Sequence, residues 1–264
     1  MIKIIFFGDI FGKPGRNAIK KILPELKEKY RPDLIIANAE NLSHGSGVTV
    51  STIAEMREAG IDVFTSGNHV FNKQEEAQKI LNEPDSPLLR PANYPSEDPG
   101  KGAKLIRIKD VNILVFNLLG RVFMKEDVED PFTTAQNIID YHKKDVNIFI
   151  LDFHAEATSE KVALMYYLDG KISALIGTHT HIPTADNKIT KKGTAYITDI
   201  GMVGPTDSVI GLKKEPVIEQ YLTQIKQKME VPENGDLEIN AIYLEIDENT
   251  GKALKLEKIR KLVA

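Results

Sequence analysis

Val63-Phe64-Thr65-Ser66-Gly67-Asn68-His69 is a short β-branched and aromatic run that stops at a glycine. Two side chains able to bind a metal or move a proton follow at once. A strand that ends this way delivers polar groups to a sheet edge, where open α/β folds place their sites. Three more stretches have the same form. Ile2–Phe7 ends in Gly8-Asp9, Leu34–Asn38 ends in Ala39-Glu40-Asn41, and Ala174–Ile176 ends in Gly177-Thr178-His179-Thr180-His181. A fifth run, Ile148–Leu151, reaches His154 after Asp152-Phe153. Acidic, amide and imidazole side chains thus collect just past apolar runs, and the chain reads as organised around a metal centre at one edge of a sheet.

The segments between these strands complete an α/β pattern. Ala18, Ile19, Ile22, Leu23 and Leu26 fall on one face at helical spacing and predict a helix over Asn17–Tyr30, with Pro24 inside it. The glycine-rich stretch Gly8–Arg16 before it reads as a loop. Ser51 is the expected cap of a helix ending at Gly60. Further helices are expected over Lys73–Leu81, Thr133–Lys143, around Glu160–Tyr167 and over Pro216–Met229. Asn82–Pro99 reads as a long surface connection. Ala103–Lys109 with Val111–Leu118, and Asn240–Ile246 with Ala253–Ile259, read as strand pairs, and Thr194–Thr198 as one more strand. Gly201–Gly211 holds three glycines and a proline, which favours a connection. The order of elements implies one α/β domain over residues 1–264, with a mixed sheet or a two-layer sheet sandwich flanked by helices and room only for a small cap.

Bulk composition narrows the chemistry. The 264 residues can bury a sizeable core. A net charge of −4 argues against bulk nucleic-acid binding through a basic surface. There is no cysteine, so disulfides, thiolate metal sites and a cysteine nucleophile are excluded, and any metal must be held by nitrogen and oxygen. No apolar run approaches the roughly 20 residues that span a bilayer. Met1–Phe7 is too short for a signal h-region, so no membrane partner and a cytoplasmic location are expected.

The candidate ligands are Asp9, Glu40, Asn41, Asn68, His154, His179 and His181. Taken singly, each has a structural explanation: Asp9 as a helix cap, Asn68 as a turn residue, Glu40-Asn41 as a solvated loop, His154 as a hydrogen-bonded core histidine. Seven such residues at five strand ends favour a site. His179 and His181, two apart, would share a face on a strand but can turn toward two different ions on a loop.

Gly8-Asp9, Gly67-Asn68-His69 and Gly177-Thr178-His179-Thr180-His181 resemble the successive motifs of calcineurin-like metallophosphoesterases. Ala39-Glu40-Asn41, Phe153-His154-Ala155-Glu156 and Tyr196–Met202 resemble the YmdB-type bacterial phosphodiesterase subgroup, and the likeness runs over nearly the whole chain. Two departures from the wider superfamily, Phe11 where a histidine is usual and Glu40 in place of a bridging aspartate, are shared by that subgroup. The resemblance implies that Asp9, Asn41 and His181 hold one ion, that Asn68, His154 and His179 hold the other, and that Glu40 bridges them. It implies His69 as a proton donor to the leaving oxygen. It also implies iron or manganese first, with zinc and cobalt compatible, and self-association into a homo-oligomer.

The physics of such a centre is coherent. Two divalent ions bring four positive charges against one each from Asp9, Glu40 and a bridging hydroxide, so the site attracts phosphate. The ions acidify the bridging water and polarise the phosphoryl oxygens. In-line attack by the hydroxide then expels an ester oxygen, which an imidazole such as His69 is suited to protonate. The expected function is a binuclear metal-dependent phosphodiesterase acting on cyclic nucleotides, 2′,3′-cyclic and 3′,5′-cyclic forms among them. Two alternatives remain at this point: a phosphomonoesterase or nuclease on the same centre, and a metal- and nucleotide-binding regulator with negligible turnover. A retained proton donor argues for bond breaking.

Overall fold

The computed structural model describes residues 1–263, so the last residue of the expected 1–264 span lies outside them. Two mixed sheets carry the fold. The first contains β1 (Ile2–Phe7), β2 (Asp9–Ile10), β3 (Leu34–Asn38), β4 (Val63–Thr65) and three later strands. The second contains β5 (Ala103–Ile108), β6 (Val111–Leu119), β7 (Ile148–His154), β8 (Ala174–Thr178), β9 (Lys188–Ile189) and β10 (Ala195–Ile197). The late strands β11 (Met202–Pro205), β12 (Leu237–Ile246) and β13 (Ala253–Val263) return to the first sheet, whose order is β2-β11-β12-β1-β3-β4 with β13 also on β12. The second sheet runs β5-β6-β7-β8-β10-β9.

Side-chain alternation explains why the sheets stack. Ile4 and Phe6 of β1 point into one apolar cluster with Ile36, Ile148, Ile150 and Ile176, which joins the two sheets. Ile5 and Phe7 point the other way, onto α1 (Gly12–Tyr30), α2 (Val50–Ala59) and α3 (Gln74–Leu81). Phe149 and Leu151 likewise face α4 (Pro131–His142) and α5 (Thr158–Leu168). Both faces of each central strand are therefore covered, as continuous apolar runs require. Each fully buried Ile or Phe contributes about 1.5–3 kcal/mol against exposure. The two-layer sandwich with outer helices agrees with the expectation from sequence.

β1, β3 and β4 run parallel, as do β6, β7, β8 and β10. In each sheet these strands therefore end on the same edge.

Five expectations are corrected. The first helix begins at Gly12, not Asn17, because Pro14 sits in the opening turn, where its missing N–H costs nothing. The cap of α2 is Thr49, not Ser51: Thr49 and Thr52 form a reciprocal capping box. The segment Asn82–Pro99 is not a surface connection throughout, since Leu88, Leu89, Arg90, Pro91 and Asn93 are buried and Leu88 bridges to Phe64. Within Gly201–Gly211, Met202–Pro205 forms β11, parallel to β2 and antiparallel to β12. The last helix, α6 (Lys214–Thr223), stops well before Met229. Leu222 and Ile225 remain exposed there, so no burial supports a further turn, and Gln224 takes a left-handed φ of 57°.

Candidate metal centre

All seven candidate ligands and His69 meet at the shared edge. Asp9 follows β1, Glu40 and Asn41 follow β3, and Asn68 and His69 follow β4. His154 closes β7, while His179 and His181 follow β8. The first sheet thus delivers the carboxylates and amides, and the second delivers the three imidazoles other than His69. Asp9, Glu40, Asn41 and His154 are essentially inaccessible, and His181 is buried. His69 is 37% exposed and lies on the open side.

Each of the three imidazoles from the second sheet is tied at its outer nitrogen. His154 Nδ1 lies 2.9 Å from Thr178 Oγ1, and that hydroxyl donates 2.7 Å to the buried Asp152 carboxylate. The hydroxyl proton is committed to Asp152, so Nδ1–H donates to Thr178. His179 Nε2 lies 3.0 Å from Glu156 Oε2, and His181 Nδ1 lies 2.8 Å from the carbonyl of Ile210. Both nitrogens face acceptors and must carry the proton. The inner nitrogens of all three rings consequently face the centre, each able to offer a lone pair to a metal ion once unprotonated.

What His154 meets there is unfavourable without a cation. His154 Nε2 stands 2.9 Å from His179 Nδ1, 3.2 Å from Glu40 Oε1 and 3.2 Å from Asn68 Oδ1. Three acceptors around one ring nitrogen need a proton or a metal ion between them. Asp9 Oδ1 is buried and no hydrogen-bond donor among the described residues reaches it; His181 Nε2 and His154 Nδ1 are 3.8 and 3.9 Å away. The donor set fits a cation held by nitrogen and oxygen. Glu40, His154 and His179 in particular bring one ligand atom each within 4.8 Å of one another.

The acid–base balance of the metal-free site says the same. Burial disfavours a charged His154, but the Glu40, Asp9 and Asp152 carboxylates outweigh it and lift the pKa to about 9. Burial and the neighbouring His154 charge push His179 down to about 3. Burial also opposes the charge of Glu40, yet His154 and His69 hold its pKa well below the usual carboxylate range. Asp9 is raised by burial, with His181 and His154 acting against that rise. One proton, kept on His154, therefore does the work of a cation in the gap.

The backbone is shaped to this end. His179 and His181 adopt left-handed φ values of 96° and 66°, and the β-branched Ile210 has φ 47°. Such non-glycine conformations are costly and gather where a site over-determines them. Gly67 is required by space: a Cβ there would overlap the imidazole of His154 and the carboxylate of Glu40. The backbone N–H of His69 donates 2.9 Å to Glu40 Oε2, and its Nδ1 lies 3.0 Å from Asn41 Oδ1.

Several supporting residues carry no signal of their own in the sequence: Glu156, Thr178, Asp152 and the carbonyl of Ile210 act on imidazoles brought in by the fold. Arg16 bonds Glu55 through Nε and the carbonyl of Leu42 through Nη1. Lys13, Arg16 and His44 line a separate cavity of about 690 Å³ beside the start of α1.

Fold and site together define a phosphoesterase of the calcineurin-like metallophosphoesterase type. The chain belongs to the YmdB-like protein family, whose model matches residues 5–259. It is 43% identical over 258 residues to a Bacillus subtilis protein named 2′,3′-cyclic-nucleotide 2′-phosphodiesterase, covering 98% of this chain and 96% of that protein. A crystal structure of a phosphatase from Mycoplasma pneumoniae superposes with a TM-score of 0.93 at 39% identity, over 99% of this chain and 93% of that one. A crystal structure of a hypothetical protein from Thermus thermophilus gives 0.91 at 34% identity, over 99% of both chains. No helix among the described residues is long and apolar enough to cross a membrane.

Proposed function

We propose that this chain is a binuclear metal-dependent phosphodiesterase that hydrolyses 2′,3′-cyclic nucleotides, with 3′,5′-cyclic nucleotides as a second substrate class. The observation that carries the reading is the convergence of three inner imidazole nitrogens and two buried carboxylates on one gap. The contacts favour a particular division of ligands. His181 is grouped with Asn41 at 3.1 Å and His154 with Asn68 and His179; Asp9 Oδ1 is nearly equidistant from His181 Nε2 and His154 Nδ1, and goes with His181 because that nitrogen is the inner one. Glu40 touches both groups through one oxygen, 3.2 Å from His154 Nε2 and 3.3 Å from Asn41 Nδ2. Asp9, Asn41 and His181 would hold one ion, and Asn68, His154 and His179 the other, with Glu40 between them. Asn41 turns its amide nitrogen toward His181 here; rotation of the amide exchanges nitrogen for oxygen without moving the backbone.

Iron or manganese ions bound there would activate water and polarise the phosphoryl oxygens at neutral pH. The chain's own contribution is positional. Asp9 and Glu40 leave the loaded site net positive, which draws in a phosphodiester. His69 touches Asn41 and Glu40 through Nδ1, and the rest of its ring lies on the exposed side, where it can protonate the departing ribose oxygen. The homology to a named cyclic-nucleotide phosphodiesterase supports the same substrate class.

The test is hydrolysis of 2′,3′-cyclic AMP by metal-stripped protein, with and without Mn²⁺, beside His69→Ala. Manganese-dependent turnover that collapses in the variant, with metal still bound, is expected. Absence of turnover with two ions bound would point instead to another phosphoester or to a regulatory binder.

A further inference from the structure

We propose that the buried pair Lys161–Asp199 is a positioning device for the two metal-binding histidines after β8. This rests on the metal-centre reading above. Lys161 comes from α5 and is the only lysine among the described residues in the buried interior. Its ammonium donates 2.7 Å to the carbonyl of Thr178 and 3.0 Å to Asp199 Oδ2. The same Oδ2 accepts 3.0 Å from the N–H of Thr180, and Oδ1 accepts 2.8 Å from the N–H of Gly201. The residue before His179 and the residue between the two histidines are therefore held by one ion pair. The N–H of Met202, one residue beyond Gly201, donates 3.0 Å to the carbonyl of His181. His179 and His181 both have left-handed φ values, so the loop has no intrinsic preference for this shape.

Stability alone is a poor reason to keep such a pair. Both side chains are fully inaccessible, and desolvation of two charges commonly offsets their attraction. Apolar replacements of buried pairs are often neutral or stabilising. What an apolar pair cannot do is hold the Thr178 carbonyl and the Thr180 and Gly201 amides at once. Neither Lys161 nor Asp199 belongs to the ligand groups: the pair acts through the loop, and its effect belongs in the affinity of the centre for metal.

The experiment compares wild type, Lys161→Met/Asp199→Asn, Lys161→Met/Asp199→Leu and Leu164→Ala. Leu164 is a buried core residue of the same helix and serves as a destabilised control. Each metal-free protein is melted, then titrated calorimetrically with Mn²⁺, and bound metal is counted by elemental analysis. The first double variant is expected to melt near wild type yet bind Mn²⁺ about 10- to 100-fold more weakly. Leu164→Ala is expected to melt lower and bind Mn²⁺ as wild type does. Should that double variant fail to fold, Lys161→Met/Asp199→Leu, which also leaves no unpaired buried charge, reads the same loss of affinity. Wild-type affinity in the folded Lys161 variants, or affinity that merely follows melting temperature across the set, overturns the proposal and leaves the metal centre standing. A wild type that binds no Mn²⁺ overturns the metal-centre reading and this inference with it.

Discussion

The two sheets contribute unequally to the centre. The first supplies Asp9, Glu40, Asn41 and Asn68; Glu40 is held from its own sheet by the His69 amide and the Asn41 side chain, whereas Asp9 accepts from the His179 amide and Asn68 meets His154, both of the second sheet. The second supplies His154, His179 and His181, each backed by a separate acceptor in Thr178, Glu156 and Ile210. The oxygen half thus leans on the second sheet at Asp9 and Asn68, whereas the imidazole half needs its tautomers fixed. Neither half is a site alone, so the apolar core between the sheets also sets the distance between ligands.

The largest break in this comparison comes from the one side chain that touches both groups. Glu40→Ala should remove both ions and all turnover while the metal-free protein keeps its fold by circular dichroism; two retained ions would contradict its bridging place. Next comes the imidazole half. Thr178→Val keeps volume but removes the hydroxyl that accepts from His154, and should weaken metal affinity about 10- to 100-fold by calorimetry. An unchanged affinity would mean the tautomer of His154 is set elsewhere.

Proton linkage sharpens the contrast further. With its pKa raised to about 9, His154 of the metal-free protein is protonated at pH 7.5, and metal must displace that proton. Apparent affinity should therefore rise with pH up to about 9 and level off above it. Binding heats at pH 7.5 should vary with the ionisation enthalpy of the buffer, and heats independent of buffer would refute a protonated His154. The smallest effect lies far from the centre in role. Thr49→Ala removes the α2 capping box and should cost about 1 kcal/mol of stability with metal affinity unchanged.

The candidate ligands are legible in the sequence because parallel strands buried on both faces read as apolar runs, and the polar residues just past those runs reach the edge. What it concealed was non-local. β2 and β11 are short and pair with each other across most of the chain, and Met202-Val203-Gly204-Pro205 carries no strand pattern of its own. Thr49, Ser51 and Thr52 all offer a capping hydroxyl, so composition could not choose among them. Glu160-Lys161 looks like a solvated helix face, yet both are buried, Glu160 to accept from the Arg121 and Val122 amides and Lys161 to pair with Asp199. Polarity at those positions reflects partners from other elements, which periodicity does not record.

The most direct test of the centre is anomalous X-ray scattering from crystals of the protein loaded with Mn²⁺. Two peaks are predicted, one among Asp9, Asn41 and His181 and the other among Asn68, His154 and His179, with the Glu40 carboxylate between them. A single peak, or peaks away from the gap that the three imidazoles face, would contradict the account.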